Sequence, residues 1–174
     1  ELSPLQMLTF YNGIANDGKM ITPLIVKEIR KNGKVIEEFE SSVIRSSMCS
    51  DATLESIREC LHDVVWNDML GTASVNPWGT RKAQSDLVAI AGKTGTAQIL
   101  EKGYSNRRHR MSFVGYFPEE NPQYTCICVI HGPQWPYDAG MDCGSVVRHI
   151  AEKTMAYAGE YVIKNGELVM VVKE

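Results

Sequence analysis

The chain has 174 residues, of which 44% are hydrophobic and 22% charged; these ordinary globular values exclude disordered, collagen-like and coiled-coil proteins. Its net charge of −3 argues against a nucleic-acid partner, because nucleic-acid-binding proteins normally carry a basic field. The longest apolar runs have five residues, far below the roughly 18 that a membrane-spanning helix needs.

The chain should begin with a helix. Ser3 can cap it, Pro4 suits its first position, and Gln6 stands where a capping box requires it. Apolar residues occur on most sides of this helix, which favours a buried position. The helix should end at Asn16-Asp17-Gly18, where glycine tolerates a left-handed conformation.

A hairpin, a connector and a second helix are predicted next. Residues 24 to 38 carry Asn32-Gly33 between two apolar runs, and this pair tolerates the positive φ of a tight turn. Residues 40 to 50 are rich in serine and indicate a connector. After Ser50, apolar residues recur at helical spacing. They are Leu54, Ile57, Leu61, Val64 and Val65. Residues 67 to 86 indicate a long loop, a type of segment that is often functional.

Three strands are predicted in the second half of the chain. They are residues 87 to 100, 112 to 117 and 124 to 131. A short turn joins the last two, so they should be antiparallel neighbours. Cys126 and Cys128 should share one face of the sheet, and buried free thiols are the favoured interpretation of the cysteines.

A third helix and a second hairpin complete the predicted elements. Asp142 can cap the helix, which should end near Gly159, and residues 161 to 172 suggest a hairpin around Asn165-Gly166. The elements together predict an α+β fold, with an antiparallel sheet flanked by helices. We divide the chain into residues 1 to 159 and a hairpin-like extension at 160 to 174.

Gly92-Lys93-Thr94 follows an apolar run and allows two interpretations. A phosphate-binding loop would need glycine at position 87, which is Leu87, and a helix after Thr94, where Gly95 follows instead. The second interpretation is the K-T-G element of penicillin-interacting serine enzymes, formed by Lys93, Thr94 and Gly95.

Five segments support the second interpretation. They are LSPLQM at 2 to 7, IANDG at 14 to 18, GTA at 71 to 73, AGKTGTAQ at 91 to 98 and SFVGYFP at 112 to 118. In this order they resemble the C-terminal part of the transpeptidase domain of a class B penicillin-binding protein, over about residues 2 to 158. The loop after Gly132 and the helix from Asp142 resemble the cell-division branch of that family.

The resemblance implies a serine β-lactamase-like fold, incomplete in this chain, and a D,D-transpeptidase that cross-links peptidoglycan through an acyl-serine intermediate. It implies no cofactor or metal, and it implies D-Ala-D-Ala stem peptides and β-lactams as ligands. Lys93, Thr94 and Thr96 would bind the substrate's carboxylate, and Gly95 would let the backbone approach it. The backbone N–H of Thr96 would form half of an oxyanion hole. The parent protein would lie on the periplasmic side of the inner membrane, anchored by an N-terminal helix.

The nucleophile motif S-x-x-K is absent, because no serine or threonine is followed three residues later by lysine. Ser74-Val75-Asn76 matches S-x-N in letters but falls after the GTA segment, so we interpret the match as coincidence. We therefore expect a C-terminal segment that needs the missing N-terminal half, forms no acyl-enzyme alone and tends to self-associate. The alternative is a non-catalytic structural or interaction fragment. If the isolated chain were acylated, Ser74, Ser85 and Ser112 would become the candidate nucleophiles.

Two further groups of residues have a weaker functional interpretation. Arg107, Arg108, His109 and Arg110 form a basic run that could attract anionic stem peptides, although a solvated loop is favoured. Trp135 and Tyr137 could form a wall of the cleft, although ordinary packing is favoured.

Overall fold

Three helices and four small antiparallel sheets make up the described chain, an α+β arrangement as predicted. This computed structural model describes residues 2–99, 108–133, 137–158, 161–164 and 167–170. The helices are α1 (Pro4–Ala15), α2 (Asp51–Trp66) and α3 (Ser145–Tyr157). The strands are β1 (Met20–Ile21), β2 (Glu28–Lys31), β3 (Lys34–Glu38), β4 (Val43–Arg45), β5 (Ala91–Ile99), β6 (Arg108–Phe117), β7 (Tyr124–His131), β8 (Tyr161–Lys164) and β9 (Glu167–Met170). In this part of the chain, no helix has the length and apolar character needed to span a membrane.

The capping box predicted for α1 is present, but the predicted burial of this helix is wrong. The Ser3 hydroxyl accepts from the Gln6 N–H at 3.2 Å, and the Gln6 side chain accepts from the Ser3 N–H at 2.8 Å. Only the last turn is buried, where Ile14 and Ala15 pack against the central sheet. Phe10 stays 46% exposed, and the first residues of the helix are exposed as well.

The first hairpin forms as predicted, around Asn32 and Gly33 with φ of 51° and 78°. The predicted connector contains a feature that the sequence did not reveal, since β4 pairs with β1 in an antiparallel sheet. These strands have three and two residues, which is too short for a period-2 pattern to be recognised.

The central sheet has the order β5-β6-β7, and all its pairs are antiparallel, as predicted. The first strand of this sheet, β5, begins later than expected, at Ala91 rather than at residue 87. Gly92 lies opposite Gly115, and the two strands approach closely there. A Cβ at Gly92 would lie 2.5 Å from the Val114 carbonyl oxygen, so both positions in the pair require a residue without a side chain.

Two hydrophobic clusters cover the two faces of this sheet. Phe113 of β6 belongs to the larger cluster, with Val147 and Ala151 of α3. Tyr116 belongs to the smaller cluster, with Leu61 of α2 and the last turn of α1. The predicted shared face of two β7 cysteines is confirmed, because both pack against the larger cluster, which also holds Cys143. They are Cys126 and Cys128.

The third helix begins earlier than predicted, and Asp142 is not its cap. A π-helical turn, Gly140–Gly144, extends α3 backwards, and Asp138 caps it by accepting from the Met141 N–H at 3.0 Å. Asp142 instead accepts from the Asp138 N–H at 2.9 Å. The helix ends at Tyr157, and the predicted end near Gly159 lies outside the described residues. The second hairpin pairs β8 with β9, while its turn at 165 to 166 also lies outside them.

Candidate functional site

The candidate site follows β5, which is an edge strand within the described residues. It pairs with β6 on one side, so its other edge is open to a ligand in an extended conformation. The strand continues through Ile99, where a phosphate-binding loop would need a helix. The nucleotide-binding alternative therefore fails. Burial decreases along β5, from buried Ala91 and Gly92 to exposed Thr96 and Gln98.

The predicted site residues lie at the middle of this strand, where burial changes. Lys93 is exposed, and its ammonium donates to the Thr94 carbonyl at 2.8 Å. Its side chain lies on the face opposite to that of Thr94, because successive strand residues alternate. A Cβ at Gly95 would lie 2.6 Å from the Ser112 hydroxyl, so this glycine has a packing reason besides the predicted approach to substrate.

Thr72 joins the site from the long loop, and the sequence analysis did not place it there. Its hydroxyl lies 2.7 Å from the Thr94 hydroxyl. The loop between α2 and β5 contains no regular element except one bridge, Val75 with Arg81, in agreement with the predicted loop. The two threonines are 22 positions apart in the sequence, which explains why spacing alone could not join them.

Lys82 and Asp138 support this loop with an ion pair. The Lys82 ammonium donates to the Asp138 carboxylate at 2.7 Å and to the Thr72 carbonyl at 3.2 Å. The Lys82 side chain is only 12% exposed and that of Asp138 is 46% exposed, so water screens the pair in part. Partial burial would raise the pKa of Asp138. The Lys82 ammonium and the backbone N–H groups of Met141 and Gly140 outweigh that effect and hold the pKa below its usual value.

The basic run differs from the predicted solvated loop, because Arg108 to Arg110 belong to β6. Alternation along the strand buries His109, whose Nδ1 lies 2.6 Å from the Tyr137 hydroxyl. Arg110 lies on the other face, and its Nε lies 3.3 Å from His131 Nδ1. Tyr137 thus packs against the sheet, whereas residues 107 and 135 lie outside the described part of the chain.

Two of the serines considered as alternative nucleophiles are buried. Ser74 is 0% and Ser85 is 4% exposed, and their hydroxyls donate to Asp68 and Glu152. Ser112 lies opposite Gly95 in the sheet, where the missing Cβ makes room for its hydroxyl. Within the described residues, no group of three acidic, histidine or cysteine side chains could hold a metal ion.

Comparison with known proteins gives consistent results. The family model described as "Penicillin binding protein transpeptidase domain" matches residues 1–156. The chain is 30% identical to a peptidoglycan D,D-transpeptidase FtsI homolog of Mesostigma viride, a match that covers 87% of this chain and 26% of that protein. It is 33% identical to penicillin-binding protein PbpB of Mycolicibacterium smegmatis, over 75% of this chain and 20% of that protein. The chain thus spans about a quarter or less of these relatives.

Solved structures are similar as well. Penicillin-binding protein 3 of Mycobacterium tuberculosis aligns with a TM-score of 0.70 and 27% identity, over 99% of this chain and 38% of that one. Penicillin-binding protein 2X of Streptococcus thermophilus gives a TM-score of 0.75 at 22% identity, over 89% of this chain and 23% of that one, which supports the fold. On the match over residues 1–156, the chain belongs to the penicillin-binding protein transpeptidase domain family, and among its members to the class B proteins.

Proposed function

We propose that this chain supplies the K-T-G strand of a peptidoglycan D,D-transpeptidase. One observation carries the proposal: Lys93 to Thr96 lie on the open edge of a sheet, in a chain of this family. An open edge can pair with an extended stem peptide through main-chain hydrogen bonds, while side chains beside it select the peptide's end. The Mesostigma viride relative is named for the same activity.

Each residue of the element has a separate proposed role. Lys93 provides the positive charge that attracts the carboxylate at a D-Ala-D-Ala end, and the hydroxyls of Thr94 and Thr96 donate to it. The Thr96 N–H stabilises the oxyanion that develops as the peptide carbonyl is attacked. Gly95 keeps the strand close both to Ser112 and to the ligand.

The nucleophilic serine of this reaction lies, in our proposal, outside these 174 residues, since the sequence contains no S-x-x-K. The serine oxygen forms an ester with the carbonyl of the penultimate D-alanine, and the C–N bond to the last D-alanine breaks. The serine proton ends on the departing amine. In this proposal, the N-terminal half of the domain also supplies the second N–H donor of the oxyanion hole.

The proposed ligands and location follow from the family. Penicillin-binding protein 3 of Mycobacterium tuberculosis, 27% identical to this chain, has been solved in complex with aztreonam, a β-lactam. We propose that the parent of this chain also binds β-lactams and stem peptides. It would act on the outer side of the cytoplasmic membrane through an N-terminal anchor, in the cell-division branch of the family.

Fluorescent penicillin tests this proposal. The isolated chain should give no fluorescent band on a denaturing gel, whereas the parent polypeptide that includes the S-x-x-K segment should be labelled on serine. In the parent, Lys93→Ala should slow acylation by about 100-fold, because it removes one electrostatic group from the cleft.

Lys34→Ala is the matched control, since Lys34 is an exposed lysine in the β2-β3 hairpin, and it should acylate at the normal rate. Normal acylation of Lys93→Ala would refute the assignment of the K-T-G element. A parent that is never acylated would favour the structural or interaction fragment instead.

A further inference from the structure

Thr72 is held from several directions at the point where it meets the K-T-G strand. The neighbouring Ala73 donates to the Val64 carbonyl at 2.9 Å and accepts from the Ala83 N–H at 2.9 Å. Gly140 approaches so closely that a Cβ there would lie 2.2 Å from the Thr72 carbonyl oxygen. Three separate parts of the chain therefore fix the position of Thr72. They are the end of α2, the loop around Ala83 and the turn before α3.

The Lys82–Asp138 ion pair connects two of these parts. Lys82 donates to the Thr72 carbonyl, and Asp138 caps the turn that contains Gly140. Because the Lys82 side chain is mostly buried, losing Asp138 would leave the Lys82 charge poorly compensated. The pair thus ties the position of Thr72 to the start of the last helix.

The proposed function determines which hydroxyl donates in the hydrogen bond between Thr72 and Thr94. A carboxylate can only accept hydrogen bonds, so Thr94 must donate its single proton to the ligand. The oxygen of Thr94 is then free to accept from Thr72, which lies 2.7 Å away. Thr72 can donate in this way because its own hydroxyl carries one proton.

We propose that Thr72, supported by Lys82 and Asp138, is a positioning residue that orients the Thr94 hydroxyl toward the ligand's carboxylate. This inference rests on the proposed function, because the ligand's carboxylate is what gives the contact its direction. Thr72 acts through Thr94 and does not itself touch the ligand.

The first experiment removes the Thr72 hydroxyl in the parent polypeptide. Thr72→Val keeps the shape and should lower the second-order rate constant of penicillin acylation about 5- to 10-fold, the effect of one lost hydrogen bond. Thr72→Ser keeps the hydroxyl and should retain most of the rate. Thr80→Val in the same loop is the matched control, since Thr80 bonds to Asn76 through its backbone, and it should not change the rate.

A second measurement separates orientation from folding. A thioester donor with a free terminal carboxylate is compared with the same thioester capped as an amide. The Thr72→Val penalty should appear with the carboxylate and be reduced to less than 2-fold with the amide. A purely structural defect would slow both donors equally, and that result would overturn the proposal.

The ion pair is tested with two conservative variants. Lys82→Met keeps the methylene stem beside Gly140, and Asp138→Asn keeps an oxygen for the Met141 N–H. Each should reproduce the donor-dependent loss, and combining either with Thr72→Val should cost less than the product of the separate effects. Normal rates for all three variants, with Lys93→Ala still impaired, would refute this inference and leave the proposed function standing. An unimpaired Lys93→Ala would instead refute the proposed function.

Discussion

At the scale of single residues, Tyr116 places a polar hydroxyl in a hydrophobic cluster of buried residues. Its ring is 0% exposed, and its hydroxyl has no hydrogen-bond partner among the described residues. Burial first and nearby Glu119 second, opposed by Arg58, together raise the pKa of Tyr116 to about 12. A buried hydroxyl without a partner opposes folding, so this residue stabilises the core through its ring alone.

Tyr116→Phe should therefore raise the free energy of unfolding at pH 7, by about 1 kcal/mol. The folded-state pKa of Tyr116 lies above the ordinary value of 10, so wild-type stability should fall as the pH rises from 10 toward 12, and the variant should lose less. Urea denaturation at pH 7 and pH 11 measures both effects. Tyr137→Phe is the control and should be destabilising, because its hydroxyl contacts His109. If Tyr116→Phe lowered the free energy of unfolding as much as Tyr137→Phe does, the Tyr116 hydroxyl would have a hydrogen-bond partner.

At the scale of elements, Arg58 joins α2 to the end of α1. Its guanidinium donates to the carbonyls of Ile14 and Ala15 at 2.7 to 3.1 Å and to the Asp17 carboxylate at 2.9 Å. The last carbonyls of a helix have no partner within the helix and carry partial negative charge, so a cation stabilises them. Arg58 therefore caps a helix that is remote from it in sequence.

We expect Arg58→Met to lower the free energy of unfolding by about 2 kcal/mol, the value of hydrogen bonds from a charged group in a half-buried site. Chemical denaturation followed by circular dichroism measures this change. Arg30→Met should stay within about 0.5 kcal/mol of wild type, because the pair that Arg30 forms with Glu28 lies at the surface, where Arg30 is 60% exposed. A similar small effect for Arg58→Met would show that packing alone holds α1 against α2.

Element prediction succeeded where the signal is local. The capping box at Ser3 and the Asn32-Gly33 turn depend on neighbouring residues, and both are present in the structure. The cap of the last helix was misassigned, because Asp138 and Asp142 both accept backbone N–H groups and the π-helical turn moves the start of the helix. The β1-β4 pair depends on contacts between distant short segments, which a local pattern cannot show.

At the scale of the whole molecule, two parts of the described chain expose a run of large apolar side chains. They are α1 and the segment that runs from residue 24 to residue 44. Large side chains at least 40% exposed there are Leu5, Phe10, Leu24, Ile25, Val26, Ile29, Val35, Ile36, Val43 and Ile44. Exposed apolar patches of this kind favour association with another surface.

We expect the isolated chain to self-associate at micromolar concentration, as detected by sedimentation velocity. Replacing Ile25 and Ile36, which are 85% and 63% exposed, with serine should shift the distribution toward monomer without loss of helix content. Tyr157→Ser, at a position 96% exposed on α3, is the control and should leave association unchanged. A wild-type chain that stays monomeric at all concentrations would contradict the expectation.

The candidate site was only partly accessible from the sequence. Lys93 to Thr96 are contiguous, so a motif could identify them. Thr72 is 22 positions from Thr94 and 10 from Lys82, and Lys82 is 56 positions from Asp138, so only the folded chain brings these residues together. The GTA segment could be recognised from its resemblance to the family, but the sequence could not show that the Thr72 hydroxyl lies beside Thr94.

The burial gradient along β5 has a mechanical consequence. The strand pairs with β6 along its whole length, but only its first two residues, Ala91 and Gly92, are also buried, so the packing that restrains it is concentrated at that end. Residues with few buried contacts open at a lower free energy than buried ones. Lys93 and Thr94 therefore lie next to the buried end of the strand, which suits the proposed role of groups that must meet a carboxylate in one geometry. Gln98 lies toward the exposed end, where, in the proposed function, the strand could adjust to the length of a bound peptide.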